Sequence, residues 1–429
     1  MQKYLTLLLL SFIISYSVQA QTNQLISCGP GYNKQSYVRL SDGIEKRVNN
    51  DVWDLAFTAF GFQDAGVFIN ESSGSSMGQN LPQTELYYAN TSNFNAEINL
   101  SEITGTKYLN TELSWNYGAF NETRDTLRPF DYGWGSYNPM SQSVVGAKVY
   151  VLRLRNGEFK KIKIESLIGT TYTFRYANLD GSNEVVKTLN KVVDNKGQKL
   201  MFFSFATNAA VDILPAGGFD LMYGRYISIA TEPNGTIQQL YNVTGILTGP
   251  GVQTAEADGV DPGSVTYAAY VNDFSSQTDI IGFDWKTLVG TSWSLDDNKV
   301  FFVKAVDNKV WKLHIFDFEG SPTGNAAFEK TDLGIFSSSE DVQNIEAGIF
   351  PNPVQDQLYV GLDARELTGN NVMIQVTDVN GQLIMIQPID RFSGFKMYDI
   401  NTSMWTKGIY LVRLTSGGLN ILTKKVVKI

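Results

Sequence analysis

Lys148-Val149-Tyr150-Val151-Leu152-Arg153 and Phe159-Lys160-Lys161-Ile162-Lys163-Ile164 flank the pair Asn156-Gly157. The pattern returns 151 residues later. There Lys299-Val300-Phe301-Phe302-Val303-Lys304 and Val310-Trp311-Lys312-Leu313-His314-Ile315 flank Asp307-Asn308. Alternation of apolar and polar side chains is the signature of a strand with one buried face. Asn-Gly and Asp-Asn tolerate positive φ, so each stretch predicts a β-hairpin. The correspondence runs without gaps from Trp134–Leu167 to Trp285–Phe318. Upstream, Trp53-Asp54-Leu55-Ala56-Phe57 matches Phe219-Asp220-Leu221-Met222-Tyr223 at an offset of 166. The extra residues of the first copy fall in a Ser/Gly/Asn-rich stretch, 70–131, that reads as long loops. Two homologous β-rich modules are expected, at 29–190 and 195–336. Helical periodicity is weak everywhere, with 44–51 and 92–103 the best segments.

Composition narrows the chemistry. The chain has 429 residues, one Cys, one His and 12% aromatics, and only 18% of its residues are charged. One Cys excludes a disulfide scaffold and Cys-based zinc or iron–sulfur sites. One His excludes bis-His haem within one chain and His-rich zinc sites. The formal net charge of −9 argues against nucleic-acid binding, which needs a basic face.

Both ends carry export signals. Lys3 precedes an apolar run from Leu5 to Ile14, and Val18-Gln19-Ala20 fits the small-x-small cleavage rule. A signal peptide at 1–20 is expected, cut between Ala20 and Gln21. No later run is long and apolar enough for a spanning helix, so the mature chain is expected not to span a membrane. Leu25-Ile26-Ser27-Cys28 has the look of a lipobox, but a polar run separates it from the apolar core. A free or buried thiol is the preferred reading of Cys28.

After a polar linker, 337–346, the last segment reads as about six short strands. Ile349-Phe350-Pro351-Asn352-Pro353 leads into Gln357-Leu358-Tyr359-Val360, and Val379-Asn380-Gly381-Gln382 joins two apolar runs as a hairpin turn. Lys407-Gly408-Ile409-Tyr410-Leu411-Val412 and the basic strand ending in Ile429 complete it. Residues 347–429 resemble the type A C-terminal sorting domain of Bacteroidetes type IX secretion cargo. The resemblance implies an Ig-like β-sandwich. It also implies the general secretory and type IX machineries as partners, and a secreted or outer-surface destination.

The first module resembles the HmuY-like family of secreted Bacteroidetes proteins. Asp51 to Phe57, the Val149–Ile164 hairpin and Thr171-Tyr172-Thr173-Phe174-Arg175-Tyr176 carry that resemblance. It implies an all-β module with haem capture as the best-known family activity. Haem needs axial ligands and an apolar groove. Candidate ligands are Met77, Met140, Met222 and His314. Met201 and Met222 also read as core filling, and His314 occupies the position that Lys163 holds in the first copy, which suits a solvated face.

Other chemistry has less support. No Gly-x-Ser-x-Gly elbow accompanies the single His. Asp54 and Asp220 are equivalent across the copies, and a strand-end structural role suits both. Asp180 and Asp258 stand in acidic turns that lack the Ca²⁺-loop pattern. The sequence thus reads as a mostly β, non-catalytic, exported binding protein, with no cofactor required and haem as one ligand. The alternatives are a carboxylate-based hydrolase or glycan-active protein, and a structural surface protein without a small ligand.

Overall fold

The computed structural model describes residues 21–429 apart from 60–63, 77–78, 81, 104, 129, 139, 232–237, 337–344, 365–371, 380, 391–393 and 417–418. It is nearly all β, with no α-helix among the described residues. The segments of weak helical periodicity give a strand at Glu45–Asn49 and a single 3-10 turn at Leu100–Glu102.

The first copy comprises β1 (Gln21–Ser27), β2 (Lys34–Val38), β3 (Glu45–Asn49), β4 (Leu55–Thr58), β5 (Val67–Ile69), β6 (Ser75–Ser76), β7 (Gln79–Asn80), β8 (Glu85–Tyr88), β9 (Gly135–Asn138), β10 (Ser143–Gly146), β11 (Tyr150–Arg153), β12 (Phe159–Ile168) and β13 (Thr171–Ala177). The second comprises β14 (Val185–Asn190), β15 (Leu200–Ser204), β16 (Ala209–Val211), β17 (Leu221–Thr231), β18 (Gln238–Thr248), β19 (Gln253–Ala257), β20 (Lys286–Val289), β21 (Ser292–Leu295), β22 (Val300–Lys304), β23 (Lys309–Phe318) and β24 (Asn325–Ile335). The two hairpins that opened the sequence analysis are β11–β12 and β22–β23, turning at Gly157 (φ 86°) and Asn308 (φ 66°).

Strands of the two copies share sheets. One sheet runs β1-β24-β23-β22-β19 and its counterpart runs β14-β13-β12-β11-β8, with β10 and β9 added to β12. The first strand of each copy therefore completes the other copy's sheet. The smaller sheets repeat the exchange, with β18-β17-β2-β3 in one and β16-β15-β4-β5 in the other. Each copy gives its first three strands and receives the partner's three.

Backbone hydrogen bonding explains why the exchange holds. β13 and β24 would otherwise end their sheets as open edges with unpaired N–H and C=O groups. Ile26 and Leu189, on the two exchanged strands, are both buried. The equivalent acids Asp54 and Asp220 pin the crossing chains. Asp54 Oδ2 accepts from Phe205 N at 2.7 Å, and Asp220 Oδ2 accepts from Leu40 N at 2.8 Å. Each bond joins one copy to the other's exchanged segment, and both acids have their strand-end role.

Three cores follow. One gathers Phe57, Trp134, Tyr150, Tyr172 and Phe174. Its counterpart gathers Tyr223, Trp285, Phe301, Trp311 and Phe328. A third lies between the two smaller sheets, with Tyr37, Trp53, Phe202, Phe219 and Met222. Each fully buried ring contributes about 1.5–3 kcal/mol of transfer free energy.

The C-terminal segment comprises β25 (Ile345–Phe350), β26 (Gln357–Ala364), β27 (Val372–Asp378), β28 (Leu383–Ile389), β29 (Gly394–Asn401), β30 (Gly408–Ser416) and β31 (Leu419–Lys428). These seven strands, one more than expected, form sheets β25-β26-β29 and β28-β27-β30-β31. Leu358 and Val360 of one sheet meet Ile374, Val376 and Val412 of the other in a shared core. This sandwich rests on the first copy, where Phe350 meets Phe130 edge-on at 4.1 Å.

The exchange predicts that neither copy folds alone. Cutting in the exposed turn between β13 and β14 yields fragments 21–181 and 182–336. Each is expected to lack cooperative unfolding by circular dichroism, and co-expression is expected to restore a stable 1:1 complex. A monomeric fragment that melts cooperatively by itself would contradict the exchange.

Candidate functional site

The copies diverge at one hairpin. In the first copy Gly135 and Gly146 face each other across β9–β10, and β10 pairs with β12. A Cβ on Gly146 would lie 1.7 Å from the Ile164 carbonyl oxygen, and one on Gly135 would lie 2.4 Å from that of Val145. Close docking therefore requires glycine at both positions. In the second copy the facing pair is Lys286 and Leu295, and β20–β21 forms a separate two-stranded sheet. Side chains now fill the space that the backbones would need. The hairpin has left the sheet, and Trp293 packs edge-on against Phe318 at 5.1 Å. The ungapped alignment shifts here, because residues 139–142 join β9 to β10 whereas Gly290-Thr291 join β20 to β21.

The displaced hairpin and the long β17–β18 pair enclose a groove of about 510 Å³. That lies within the ~300–1,000 Å³ typical of small-molecule sites. Tyr32, Ile229, Tyr241, Leu288, Trp293 and Phe318 supply its apolar lining. Ile229, Tyr241, Leu288 and Trp293 are exposed. Contiguous exposed apolar surface on a soluble domain is a binding signal. Tyr32 comes from the first copy and holds φ at 54°, a left-handed conformation rare for an aromatic residue and concentrated at functional sites.

Two cations stand in this apolar setting. Lys286 is 6% exposed, and its Nζ donates to the Thr244 and Phe283 carbonyl oxygens. Nζ lies 3.9 Å from the Trp285 ring centre, 4.8 Å from Phe318 and 5.9 Å from Trp293. Among the described residues Lys286 makes no ion pair. Burial pushes its ammonium down to about 7, because the charged form loses its hydration. Arg225 is buried nearby and donates to the Gly74 carbonyl at 3.0 Å. The Cys28 thiol is also buried here, donating to the Gly324 carbonyl at 3.4 Å, and burial pushes it up to about 12. That is an inert structural thiol.

A second space of about 50 Å³ lies between the smaller sheets. Glu71 and Glu112 reach it, with Asp279 beside Glu112. Glu71 accepts from Asn110 N at 2.7 Å, and burial pushes its carboxyl up to about 8. Burial, then the neighbouring Asp279 carboxylate, raises Glu112 to about 7. The volume holds a water or two rather than a sugar ring, so these acids do not form a glycosidase cleft. Among the described residues no group of acids, His and Cys converges as a metal site.

The sequence-derived ligand candidates do not come together. Met77 and Ala20 lie outside the described residues, and Gln21 opens β1. Met140 is 96% exposed on the β9–β10 turn. Met222 is buried in the core between the smaller sheets and lines the 50 Å³ space. His314 is half-buried on β23 opposite Glu329, on the face away from Trp311, Leu313 and Ile315. Met140, Met222 and His314 do not line the 510 Å³ groove. Lys286 was missed, although the repeat aligns it with Gly135, and a gain of charge at a glycine position was the available signal.

Comparison with known proteins assigns the C-terminal sandwich. Residues 348–428 match the family described as the secretion system C-terminal sorting domain. This domain is the address for the type IX secretion system, so the protein is exported to the cell surface or secreted. Among the described residues no helix is long and apolar enough to cross a membrane. No curated protein matches the chain. Among solved structures, the dimeric latent PorU from Porphyromonas gingivalis aligns over 67% of this chain and 32% of its own, at 12% identity and a TM-score of 0.21. The chain thus spans about a third of that protein's length, and the similarity is too low to carry an argument about fold or activity.

Two variants test this geometry. Gly146→Leu should drive β10 off β12 and lower stability by roughly 2 kcal/mol or more, read from the urea midpoint. An unchanged midpoint would refute the glycine argument. Glu71 has a raised pKa in the fold, so its stabilisation is complete below pH ~4.5 and is lost as pH rises through about 8. Glu71→Gln should flatten that loss, gaining on the wild type by on the order of 2 kcal/mol between pH 5.5 and 8.5. Parallel profiles for the two proteins would contradict it.

Proposed function

We propose that this protein is an exported binding protein whose ligand site is the groove between β17–β18 and the β20–β21 hairpin. The carrying observation is the opened hairpin. At the equivalent place the first copy keeps two glycines and a closed sheet, whereas the second copy has Lys286, Leu295 and a groove lined with exposed aromatic and aliphatic side chains. Exposing Leu288, Tyr241 and Trp293 to water costs hydrophobic free energy that a bound apolar surface would recover. Enzymatic turnover has no support in this groove, where Asp284 is the only carboxylate among the described lining residues.

The two repeated units are read as HmuY-like modules that exchange strands, and export begins with cleavage between Ala20 and Gln21. Haem capture is the narrower form of the binding reading. A flat apolar ring with two carboxylates suits a groove with aromatic walls and two cations. Axial ligation would fall to Tyr32 or Tyr241, since Met140, Met222 and His314 do not line it.

The test is a haemin and hydrophobe titration of the mature chain 21–429, followed by Soret absorption and by Trp emission. Saturable binding that Trp293→Ala weakens at least about tenfold is the expected result. A Soret response without any effect of Trp293→Ala would move the site elsewhere. Saturation by uncharged hydrophobes with no haemin spectrum would keep the groove and remove haem.

A further inference from the structure

We infer that the groove selects organic anions, compact molecules with an aromatic or aliphatic body and one carboxylate or sulfonate-like group that Lys286 receives. This rests on the groove being a binding site, and it adds the charge of the ligand. The Lys286 ammonium lies in an apolar site, faced by three aromatic rings and two carbonyl oxygens. A buried cation is ordinarily matched by an acid. Here no described carboxylate is within ion-pair distance. Asp284, the nearest acid in sequence, pairs instead with Lys299 at 3.2 Å.

The surroundings of Lys286 on every side agree. Cys28 at the end of β1 is a neutral thiol, and Tyr223 lies beside it. Arg225 on β17 adds a second positive charge, burial pushes the Tyr32 phenol up to about 12, and Tyr241 adds an aromatic side chain. The carboxylate of the groove, Asp284, is paired with Lys299, and the rest of the described lining is Lys286, Arg225 and polar or apolar side chains. An anion entering the groove completes the missing half of a buried ion pair, a charge-assisted bond stronger than a neutral one.

Burial holds Lys286 near neutrality until an anion arrives, so binding takes up a proton on Nζ. Anion affinity must then fall as pH rises through about 7, while affinity for an uncharged ligand of the same shape stays level. The counterpart in the first copy cannot do this, because Gly135 carries no charge.

The experiment compares two fluorescent probes on the full mature chain. One is 1-anilinonaphthalene-8-sulfonate, which is anionic throughout, and the other is N-phenyl-1-naphthylamine, its uncharged analogue. The sulfonate is expected to bind about tenfold or more tighter at pH 6 than at pH 9, and the amine within about twofold at both. Lys286→Met should abolish the sulfonate preference and keep amine binding, which also reports an intact groove. Lys286→Arg should keep sulfonate binding and make it independent of pH. Quenching of Trp293, absent in Trp293→Phe, locates both probes. Equal pH profiles for the two probes, or a sulfonate preference that survives Lys286→Met, would overturn the anion assignment while leaving the groove a binding site. Failure of both probes to quench Trp293 would overturn the groove reading and this one with it.

Discussion

Neither copy of the repeat can satisfy the backbone of its own last strand. β13 pairs on its outer side with β14 of the second copy, and β24 pairs with β1 of the first. Sheet edges left open in water invite association with other chains. In this molecule the two copies close each other's edges within one polypeptide. The same need is met in the smaller sheets, where β4 receives β15 and β17 receives β2. Asp54 and Asp220 then fix the crossing points by accepting backbone N–H groups from the partner segment. The architecture is a dimer-like exchange made covalent by the linker between β13 and β14.

Such an arrangement frees one copy to change. The first copy keeps the closed form of the β9–β10 hairpin, where two glycines allow backbones within van der Waals contact. Its Tyr137 packs against Phe130, which in turn meets Phe350 of the sorting domain. In the second copy the corresponding hairpin stands away from the sheet and the aromatic surface faces solvent. The structural cost is met elsewhere, since both large cores remain filled by Trp134 and Trp285 at equivalent positions. At this hairpin the loss of sheet pairing does not open the core.

Much of this was legible in the sequence. Period-2 alternation and the Asn156-Gly157 and Asp307-Asn308 turns are local signals, and they gave the hairpins at the correct residues. The sorting domain was legible for the same reason, since each strand of 347–429 is bounded by its own turn residues. The exchange was not legible, because alternation reports which face of a strand is buried and says nothing of which strand lies beside it. Gln21–Ser27 reads the same whether its partner is β13 or β24. The ligand candidates misled for a related reason. Met and His were chosen for their chemistry, but Met140 fell on an exposed turn and Met222 in a core. Lys286 was visible in the alignment as the residue opposite Gly135. Its burial depends on the hairpin leaving the sheet, a steric outcome that appears only once both facing glycines are seen to be replaced.

The exchange and the groove are one arrangement. Tyr32 belongs to the segment that follows β1, and it reaches the groove because β1 and β2 are both built into sheets of the second copy. Cys28 directly follows β1 and packs beside Tyr223 beneath the site. Arg225 ties the floor to the first copy's Ser73 and Gly74 carbonyls. Lys286, Trp293 and Leu288 come from the second copy alone. The second copy by itself would keep the hairpin and the β17–β18 wall but would lack Tyr32 and Cys28, so the surroundings of Lys286 would differ. The exchanged segments contribute to the buried surroundings that make Lys286 a low-polarity cation site.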